Sequence, residues 1–523
     1  MKSIIDTNNL KIKVIAVSIK KMRKSDKMKK EILTIWCFLT LLNLNAQEKE
    51  RGINEVIVQG KFLNLPLKKV NENITVVTRK EIENSPAKSV EEILVQFTGL
   101  DIRKRGGNGV QADISMRGSS FEQVLILVNG IRMNDSQTGH NSMSVPFDLA
   151  SVERIEIVKG PASRRFGQNA YAGVVNIVTK PSSEDNVMIS GEGGDYKTFS
   201  LGLGANFGTE KFSNFFQANS ETSAGYRHNT DYKINNVFYQ HQYKLENGNL
   251  RFQAGIQEKK FGANGFYASP KATEQYEETQ ASIVSLALDK KFDKFNLNSN
   301  IYWRRGQDMY LFNREKPEIY RNMHIGNNIG GEINGSYHSS LGTTGLGVEL
   351  RKEFLASNNL GHRERLMTQV FLEHHFSLIE NKLNISPGIS WANFSNEGNF
   401  FYPGIDVGFE FNENHKIYGN LAKVNRIPTF TDLYYVSKTE SGNPDLRPEN
   451  AVSAEIGYRF QQNNFLGKVS GFMRNSENSI DWVKKSPTDI WKAENIGNID
   501  TKGIEVEFGQ SFNSFLKSYS VGY

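Results

Sequence analysis

The sequence predicts a transmembrane antiparallel β-barrel that is preceded by a smaller α+β domain. From about residue 187 onward, apolar residues alternate with polar residues or glycine with a period of two. Segments of about 10 alternating residues, rich in aromatic side chains and joined by polar loops, are typical of barrels that span a membrane. Before residue 187, short strand and helix signals follow one another, which indicates a compact α+β domain of about 130 residues.

The composition excludes several other classes of protein. Aromatic side chains make up 11% of the 523 residues, which argues against a disordered chain. No run of about 18 apolar residues occurs, so membrane-spanning helices are not expected. The single Cys37 cannot form an internal disulfide. The mean hydropathy of −0.48 suits a barrel, because only one face of each strand is then apolar.

The first 46 residues are predicted to be a leader that contains a secretory signal. They carry ten Lys and Arg but only three acidic residues, and an apolar stretch over residues 32–42 follows Met28. This pattern is typical of a signal peptide, with Met28 as the expected start and cleavage expected after Ala46; the alternative is a core helix. Cleavage would remove Cys37 and leave 53 basic and 54 acidic residues, so the formal charge of +6 belongs to the leader.

The α+β domain has readable boundaries. Residues 74–78 form a β-branched run that predicts a strand. Residues 89–92 (Ser-Val-Glu-Glu) predict a capping box that opens a helix through Phe97, which Gly99 ends. Residues 124–128 predict a buried strand, and Asn129-Gly130 predicts a tight turn after it. Further strands are expected over residues 153–159 and 174–179.

The barrel strands are predicted from their alternation alone. Apolar side chains occupy every second position over residues 198–207, 250–257 and 504–508, and the positions between them are polar or glycine. A soluble sandwich shows the same alternation but rarely over 300 residues. About 14–18 strands of about 10 residues, with their loops, fit between residue 186 and residue 523.

Five motifs in the first domain carry a family resemblance. They are residues 114–118 (Ile-Ser-Met-Arg-Gly), 127–130 (Leu-Val-Asn-Gly), 152–163, 166–170 and 173–180. In order and spacing they resemble the plug domain of TonB-dependent outer-membrane receptors. The family has aspartate where Asn129 stands, and often an acidic or small residue near Arg165. In the barrel, residues 426–429 (Arg-Ile-Pro-Thr) and 443–449 (Asn-Pro-Asp-Leu-Arg-Pro-Glu) resemble the receptor signature.

The resemblance implies a domain order and a family barrel of 22 strands with the plug inside its lumen. We expect a leader over residues 1–46, a TonB-box segment over 47–60, the plug over 61–182 and the barrel over 186–523. Because only about 14–18 strands fit, the barrel is expected to be truncated at its C-terminus. An open barrel would leave unpaired strand edges in lipid, so a non-functional fragment is one alternative for the chain.

The resemblance also implies the TonB box, an N-terminal segment that adds as a strand to the energy-coupling partner. It is placed on Glu55, Val56, Ile57, Val58 and Gln59, which are extended and β-branched. The alternative is an ordinary first strand of the plug. The implied partner is the TonB–ExbB–ExbD complex, and deletion of residues 55–59 is expected to abolish uptake while binding is retained.

Charges inside a barrel are tolerated only when they are paired or hydrated. A set of plug residues is therefore predicted to be structural or to hold the closed state, the charged ones through plug–barrel and internal pairs; the alternative is a solvated sheet face. The set comprises Arg117, Gly118, Arg132, Glu153, Arg154, Glu156, Gly160 and Pro161.

Three stretches are candidates for ligand contact, and an ordinary loop is the alternative for each. The first is the polar plug stretch over residues 134–142, the second an aromatic barrel loop over residues 261–267, and the third the stretch over residues 302–305 with Asp308. The candidate residues are Asn134, Asp135, Gln137, His140, Phe266, Tyr267, Trp303 and Arg304.

No catalytic or metal-binding pattern stands out. Nine His residues are scattered, and the adjacent His374 and His375 would face opposite sides of a strand. We find no Ser/His/Asp, Cys/His or paired-carboxylate arrangement, so we expect neither an enzyme nor a cofactor nor a bound metal.

The expected function is active uptake of a scarce, bulky ligand across the outer membrane of a Gram-negative bacterium. The resemblance slightly favours a ferric siderophore, with cobalamin as the alternative. A signalling receptor, a polysaccharide importer and a passive porin or adhesin are less favoured. Expected partners also include the barrel-assembly machinery and outer-membrane lipid, but no nucleic acid.

Overall fold

The computed structural model describes residues 57–59, 64–66, 70–107, 110–181, 185–267, 269–462, 465–513 and 518–522. The predicted leader, with Met28 and Cys37, lies outside these residues, as do Glu55 and Val56 of the predicted TonB box. The rest of that box, β1 (Ile57–Gln59), pairs antiparallel with β2 (Asn64–Pro66).

The plug consists of short strands and helices around an apolar core. Its strands are β3 (Asn73–Thr78), β4 (Asp101–Arg105), β5 (Gln111–Ser115), β6 (Val124–Val128), β7 (Ile131–Arg132), β8 (Val152–Lys159) and β9 (Gly173–Thr179). Its helices are α1 (Arg79–Asn84), α2 (Val90–Thr98) and α3 (Ser163–Phe166), with 3₁₀ turns at Phe121–Gln123 and Leu149–Ser151. The central sheet has the order β3-β8-β9-β6-β7, in which only β6 and β9 run parallel.

Local chemistry explains these elements. The Ser89 side chain accepts a hydrogen bond from the Glu92 backbone N–H and caps α2, which ends at Gly99 in the left-handed conformation. The second half of the predicted capping box differs, because the Glu92 carboxylate accepts from the N–H of Lys88 rather than of Ser89. Asn129 and Gly130 both have positive φ, as the turn between β6 and β7 requires.

In the described residues, the second part of the chain is one sheet that consists of 17 antiparallel strands and one further two-residue strand. The 17 antiparallel strands agree with the predicted 14–18. The strands are β10 (Asn186–Gly194), β11 (Thr198–Gly208), β12 (Phe212–Ser223), β13 (Tyr232–Leu245), β14 (Gly248–Gly262), β15 (Tyr276–Lys291), β16 (Phe295–Leu311), β17 (Arg321–Ser339), β18 (Gly342–Ser357), β19 (Gly361–Leu378), β20 (Leu383–Phe394), β21 (Gly398–Asn412), β22 (His415–Arg426), β24 (Glu449–Gln462), β25 (Phe465–Val483), β26 (Trp491–Asn513) and β27 (Ser518–Gly522). The two-residue β23 (Glu440–Ser441) lies in the connection between β22 and β24 and pairs parallel with β26, and α4 (Phe430–Tyr434) precedes it.

The connections between strands differ at the two ends of the sheet. The longest connections, over residues 224–231, 263–275, 312–320 and 427–448, all lie at one end, which we call the loop end. At the opposite end the connections are at most four residues long. Barrels of outer membranes have short periplasmic turns and longer extracellular loops, so the loop end is the end expected to face the cell exterior.

Period-two alternation places apolar side chains outside and polar side chains against the plug. On β17, for example, Ile329 and Ile333 are 53% and 62% exposed, whereas Asn328 and Asn334 are buried. The plug also has apolar contacts with the wall, since the rings of Phe147 and Phe238 lie 5.1 Å apart. Among the described residues, no helix has the length and apolar character needed to cross a membrane, and no pairing joins β10 to β27.

Candidate gating and ligand-entry site

Arg117 joins the plug to two barrel strands. Its guanidinium lies 3.0 Å from Oε2 of Glu455 on β24 and 2.7 Å from Oε2 of Glu505 on β26, and its side chain is 4% exposed. The ring of Phe472 lies under it, 4.3 Å from the guanidinium carbon. Burial by itself would lower the pKa of Arg117, but the hydrogen bonds to Glu505 and Glu455 raise it above the ordinary value. We call Arg117, Glu455 and Glu505 the Arg117 cluster.

Backbone geometry gives Arg117 this position. Arg117 and Gly118 both have positive φ, so the chain turns sharply after β5. Gly160 also has positive φ, and a Cβ there would lie 3.1 Å from Oε2 of Glu455 and 3.5 Å from Nη1 of Arg117. Glycine at this position therefore leaves room for the ion pair. Pro161, which follows it, is buried.

A second and denser ion cluster lies on helix α3. The Nε of Arg164 donates to Glu373 on β19 at 2.6 Å, and its two terminal nitrogens donate to the two carboxylate oxygens of Asp406 on β21. Arg165 donates to Glu373 at 2.8 Å and to Glu72 of the plug at 2.7 Å. All five side chains are buried or nearly so. We call these five residues the Arg164 cluster.

The sequence did not lead us to predict the Arg164 cluster. Arg165 was noted only because the family often has an acidic or small residue near this position. The available signal was alternation, because Glu373 and Asp406 occupy positions that face the lumen in strands whose outward neighbours are apolar. Two glycines admit the helix: a Cβ on Gly388 would lie 3.2 Å from Cδ of Arg164, and one on Gly404 would lie 3.1 Å from it.

The other predicted gating residues lie within the plug. Arg132 donates to the backbone carbonyls of Gln168 and Phe166, at 2.9 and 2.6 Å, and so holds the chain that follows α3. Burial lowers the pKa of Arg132 to about 10. Arg154 pairs with Glu156 along β8 at 2.8 Å.

Glu153 departs from the predicted pairing. It lies where the register between β8 and β9 shifts, between Val152 and Arg154. The side chain is half-buried, and in the part of the chain that the structure describes it has no ion pair. A bulge takes one residue out of the regular alternation, so period-two reasoning does not hold at this position.

The candidate ligand residues of the plug stretch are mostly occupied by structural contacts. The Asn134 side chain accepts from the N–H of Ile126 and donates to the carbonyl of Val124, which braces the β6–β7 hairpin. Asp135 lies 3.6 Å from Arg304 of β16 and caps the N–H of Gln137. These contacts differ from the expectation of a loop open to ligand.

The same plug stretch contacts the longest connection at the loop end. The N–H of Phe430 donates to the carbonyl of Ser136 at 2.8 Å, and the N–H of Thr431 donates to the carbonyl of Gln137 at 3.0 Å. Both donors belong to the first turn of α4. The buried Gln137 is therefore covered by this connection.

His140 keeps one face open. Its Nδ1 lies 2.8 Å from Oδ1 of Asp113, its ring stacks on Phe121 at 4.3 Å, and its side chain is 32% exposed. Of the four plug candidates it has the most exposed side chain.

Phe266 and Tyr267 meet the plug rather than solvent. The Phe266 ring lies where a Cβ on Gly106 would be 3.0 Å away, and the positive φ of Gly106 also favours glycine. The Tyr267 hydroxyl donates to Glu277 and lies 2.9 Å from Oε1 of Gln111, and Arg105 lies 5.5 Å from the centre of its ring. Burial raises the pKa of Tyr267.

Trp303 and Arg304 are neighbours in sequence but lie on opposite faces of β16. Arg304 is buried and donates to the Asn134 carbonyl at 3.2 Å. Trp303 is on the outward face with Ile301 and donates to Asn327 at 3.1 Å. The two residues therefore cannot flank one entrance.

His374 and His375 also face opposite sides, as expected: His375 is buried beside Ser386, and His374 is outward beside Thr344. Within the described ranges no group of three or more His, Cys, Asp and Glu side chains is arranged to hold a metal ion.

Comparisons with known proteins agree with this architecture. Residues 66–174 match the family model of the TonB-dependent receptor plug domain, and residues 176–523 match that of the TonB-dependent receptor-like β-barrel. The chain is 27% identical over 507 residues to a vitamin B12 transporter, BtuB, of Vibrio vulnificus, which covers 91% of this chain and 78% of the relative.

Two solved structures share the fold at lower identity. The ferric enterobactin receptor PfeA of Pseudomonas aeruginosa superposes with a TM-score of 0.70 at 18% identity, over 86% of this chain and 80% of that one. The hemophore receptor HasR of Serratia marcescens gives a TM-score of 0.70 at 16% identity, over the same shares. A plug held by buried ion pairs against an antiparallel barrel, together with family matches that cover most of its length, shows that this chain belongs to the TonB-dependent receptors, a family of outer-membrane β-barrel proteins.

Proposed function

We propose that this receptor imports a scarce, bulky ligand by energy-coupled displacement of its plug. The observation that carries the proposal is the pair of ion clusters between plug and barrel. Buried ion pairs hold firmly when both partners are present, but they contribute little net free energy relative to apolar packing. A closure built from them can be broken by water entering the interface, which suits a plug that has to move and return.

The coupling is proposed to act through residues 55–59. Strand addition to a sheet edge needs an extended segment with free backbone hydrogen-bonding groups. Residues 57–59 are extended and pair with residues 64–66, and among the described residues this hairpin pairs with no third strand. We also propose the corresponding domain boundaries: a TonB-box segment over residues 47–60, a plug over 61–182 and a barrel over 186–523.

Cobalamin and a ferric siderophore are the two ligand candidates. The vitamin B12 transporter of Vibrio vulnificus matches 91% of this chain at 27% identity, which supports cobalamin. The resemblance to siderophore receptors concerns the fold alone. The partly exposed His140 is the proposed point of first contact.

The experiment is uptake by cells that lack their own receptor. Cells that carry this chain are given radiolabelled cyanocobalamin or a panel of ferric siderophores, with and without a functional TonB. Deletion of residues 55–59 is expected to abolish uptake and leave binding at the cell surface unchanged. Val58→Thr, which keeps the residue β-branched and suited to an extended strand, is the matched control. Uptake that persists without residues 55–59 would contradict coupling through this segment.

A further inference from the structure

The outward wall of the barrel has a groove that the receptor function does not use. It crosses β19, β20, β21, β22 and β24 and has a volume of about 790 Å³. Its outward lining is almost entirely apolar and includes Leu372, Pro387, Ile389, Pro403, Ile405 and Leu421. Elsewhere the outward wall is also apolar, so the distinctive property of this region is its concave shape.

The local sequence explains the depression. Pairing between β19 and β20 runs to Glu373–Gly388 and resumes at Phe376–Ile385 without a change of register, and Pro387 lies in the gap. Proline has no N–H to donate to a ladder, which is why it is rare within central strands. Pro403 lies opposite Ile389 on the next strand. The rings of Pro387 and Pro403 are shorter than the neighbouring leucine and isoleucine side chains, so they form the floor of the groove.

Hydrocarbon is the matching occupant. Leu372, Ile389 and Leu421 are 49%, 46% and 48% exposed on a surface that faces the bilayer core. Neighbouring strands lie about 4.8 Å apart, so five strands span about 19 Å. Strands of membrane barrels tilt by about 35–45°, so a groove that crosses them is expected to run obliquely to the membrane. Half of a hydrocarbon core of about 30 Å is about 15 Å, which is comparable to this span, so one lipid chain matches its length.

A cation stands at the end of the groove that is nearer the loop end. Lys423 lines the groove, faces outward and lies three residues before the end of β22. Among the described residues it takes part in no ion pair. Near a membrane surface, a lysine side chain extends its ammonium toward the headgroups while its methylenes stay on apolar surface.

We propose that this groove binds one acyl chain of a phosphorylated lipid of the outer leaflet, with the lipid phosphate at Lys423. The chain lies along the row of outward side chains between Lys423 and Phe376. The bound lipid covers the wall behind the Arg164 cluster, because Gly388 and Gly404 separate the groove from Arg164.

The test is photo-crosslinking in vesicles. The full chain is reconstituted in phosphatidylcholine vesicles that contain a small fraction of phosphatidylglycerol with a diazirine in one acyl chain. After illumination, labelled residues are identified by mass spectrometry. Residues 372–376, 387–389 and 403–405 are expected to be labelled several-fold more than Ile301, Ile329 and Ile333 on another part of the outward wall. Equal labelling of both parts would overturn the proposal.

Variants separate the two parts of the inference. Leu421→Trp fills the groove and is expected to reduce its labelling to the level of the rest of the wall, whereas Ile333→Trp, the matched control, leaves it unchanged. Lys423→Gln is expected to lower labelling by the anionic probe at residues 403–405. Unchanged labelling in Lys423→Gln would contradict the contact between Lys423 and the lipid phosphate. Unchanged labelling in Leu421→Trp would contradict binding of the acyl chain in the groove.

Discussion

Arg164 of the plug and Asp406 of the barrel form a bidentate ion pair, although they are 242 residues apart in the sequence. Both side chains are 2% exposed. Two parallel hydrogen bonds between a planar guanidinium and a carboxylate fix distance and orientation together. Helix α3 is therefore held at one height on the inner wall, and small movements of the plug are opposed by geometry as well as by charge.

Glu373→Gln is expected to loosen the plug, because Glu373 accepts from both Arg164 and Arg165. Breaking a buried pair by removal of one charge costs about 3–5 kcal/mol. Entry of a large antibiotic into intact cells, measured as growth inhibition, should rise. Glu364→Gln is the control, since Glu364 belongs to an exposed pair with Lys352. A well-inserted Glu373→Gln protein that stays impermeable would contradict this role.

Arg117→Ala is expected to have a similar effect through a separate contact. The variant leaves Glu455 and Glu505 facing each other without their shared cation. Arg117→Lys should recover only part of the closure, because a single ammonium lacks the planar fork that serves two carboxylates. Conductance of the protein in planar bilayers measures this directly. Equal conductance of the wild-type chain and Arg117→Ala would count against a closing role for the cluster.

Gly388→Val is expected to destabilise the plug–wall contact without adding or removing a charge. Its Cβ would lie 3.2 Å from Cδ of Arg164 and 3.2 Å from a carboxylate oxygen of Glu373. Overpacking of this kind costs about 1–3 kcal/mol. In gel electrophoresis after heating in detergent, the temperature at which the protein shifts from the mobility of the folded form to that of the unfolded form should fall. Gly471→Val, on β25, is the comparison, because its Cβ would meet nothing within 4 Å.

Glu72→Gln is expected to be tolerated, in contrast to Glu373→Gln. Burial raises the pKa of Glu72 above its ordinary value of 4.5, despite the attraction of Arg165. A raised pKa in the folded state means that this group contributes stability below pH 4.5 and loses it as the pH rises through the folded-state pKa. The wild-type chain should therefore lose thermal stability relative to Glu72→Gln as the pH rises above 4.5 and through the raised pKa of Glu72. An equal pH dependence of the two proteins would refute this.

Much of the fold followed from local patterns. Period-two alternation predicted the barrel, and the Ser89 cap, Gly99 and the Asn129-Gly130 turn set element boundaries that the structure reproduces. These features depend on residues within a few positions of one another, so a single sequence contains the whole signal. The family resemblance rested on the same kind of short motif, and the family matches confirm it.

The prediction that Trp303 and Arg304 flank one entrance was wrong, because adjacent residues of a strand face opposite sides. Their separation follows from the same alternation that predicted the strand. Glu153 marks a place where the alternation itself fails, because a register shift interrupts β8 and β9.

The sequence by itself determined which side chains face the lumen and which face the membrane, because a strand alternates whatever its neighbours are. Only the tertiary structure decided which charges meet. Glu373 and Asp406 lie on different strands, and their heights on the wall depend on the register of every strand between them. Glu72 and Arg164 belong to the plug, and the folding of the plug places them at the same level of the wall as Glu373 and Asp406. The sequence therefore could not identify the partners of Arg164, although it predicted that charges inside the barrel need partners.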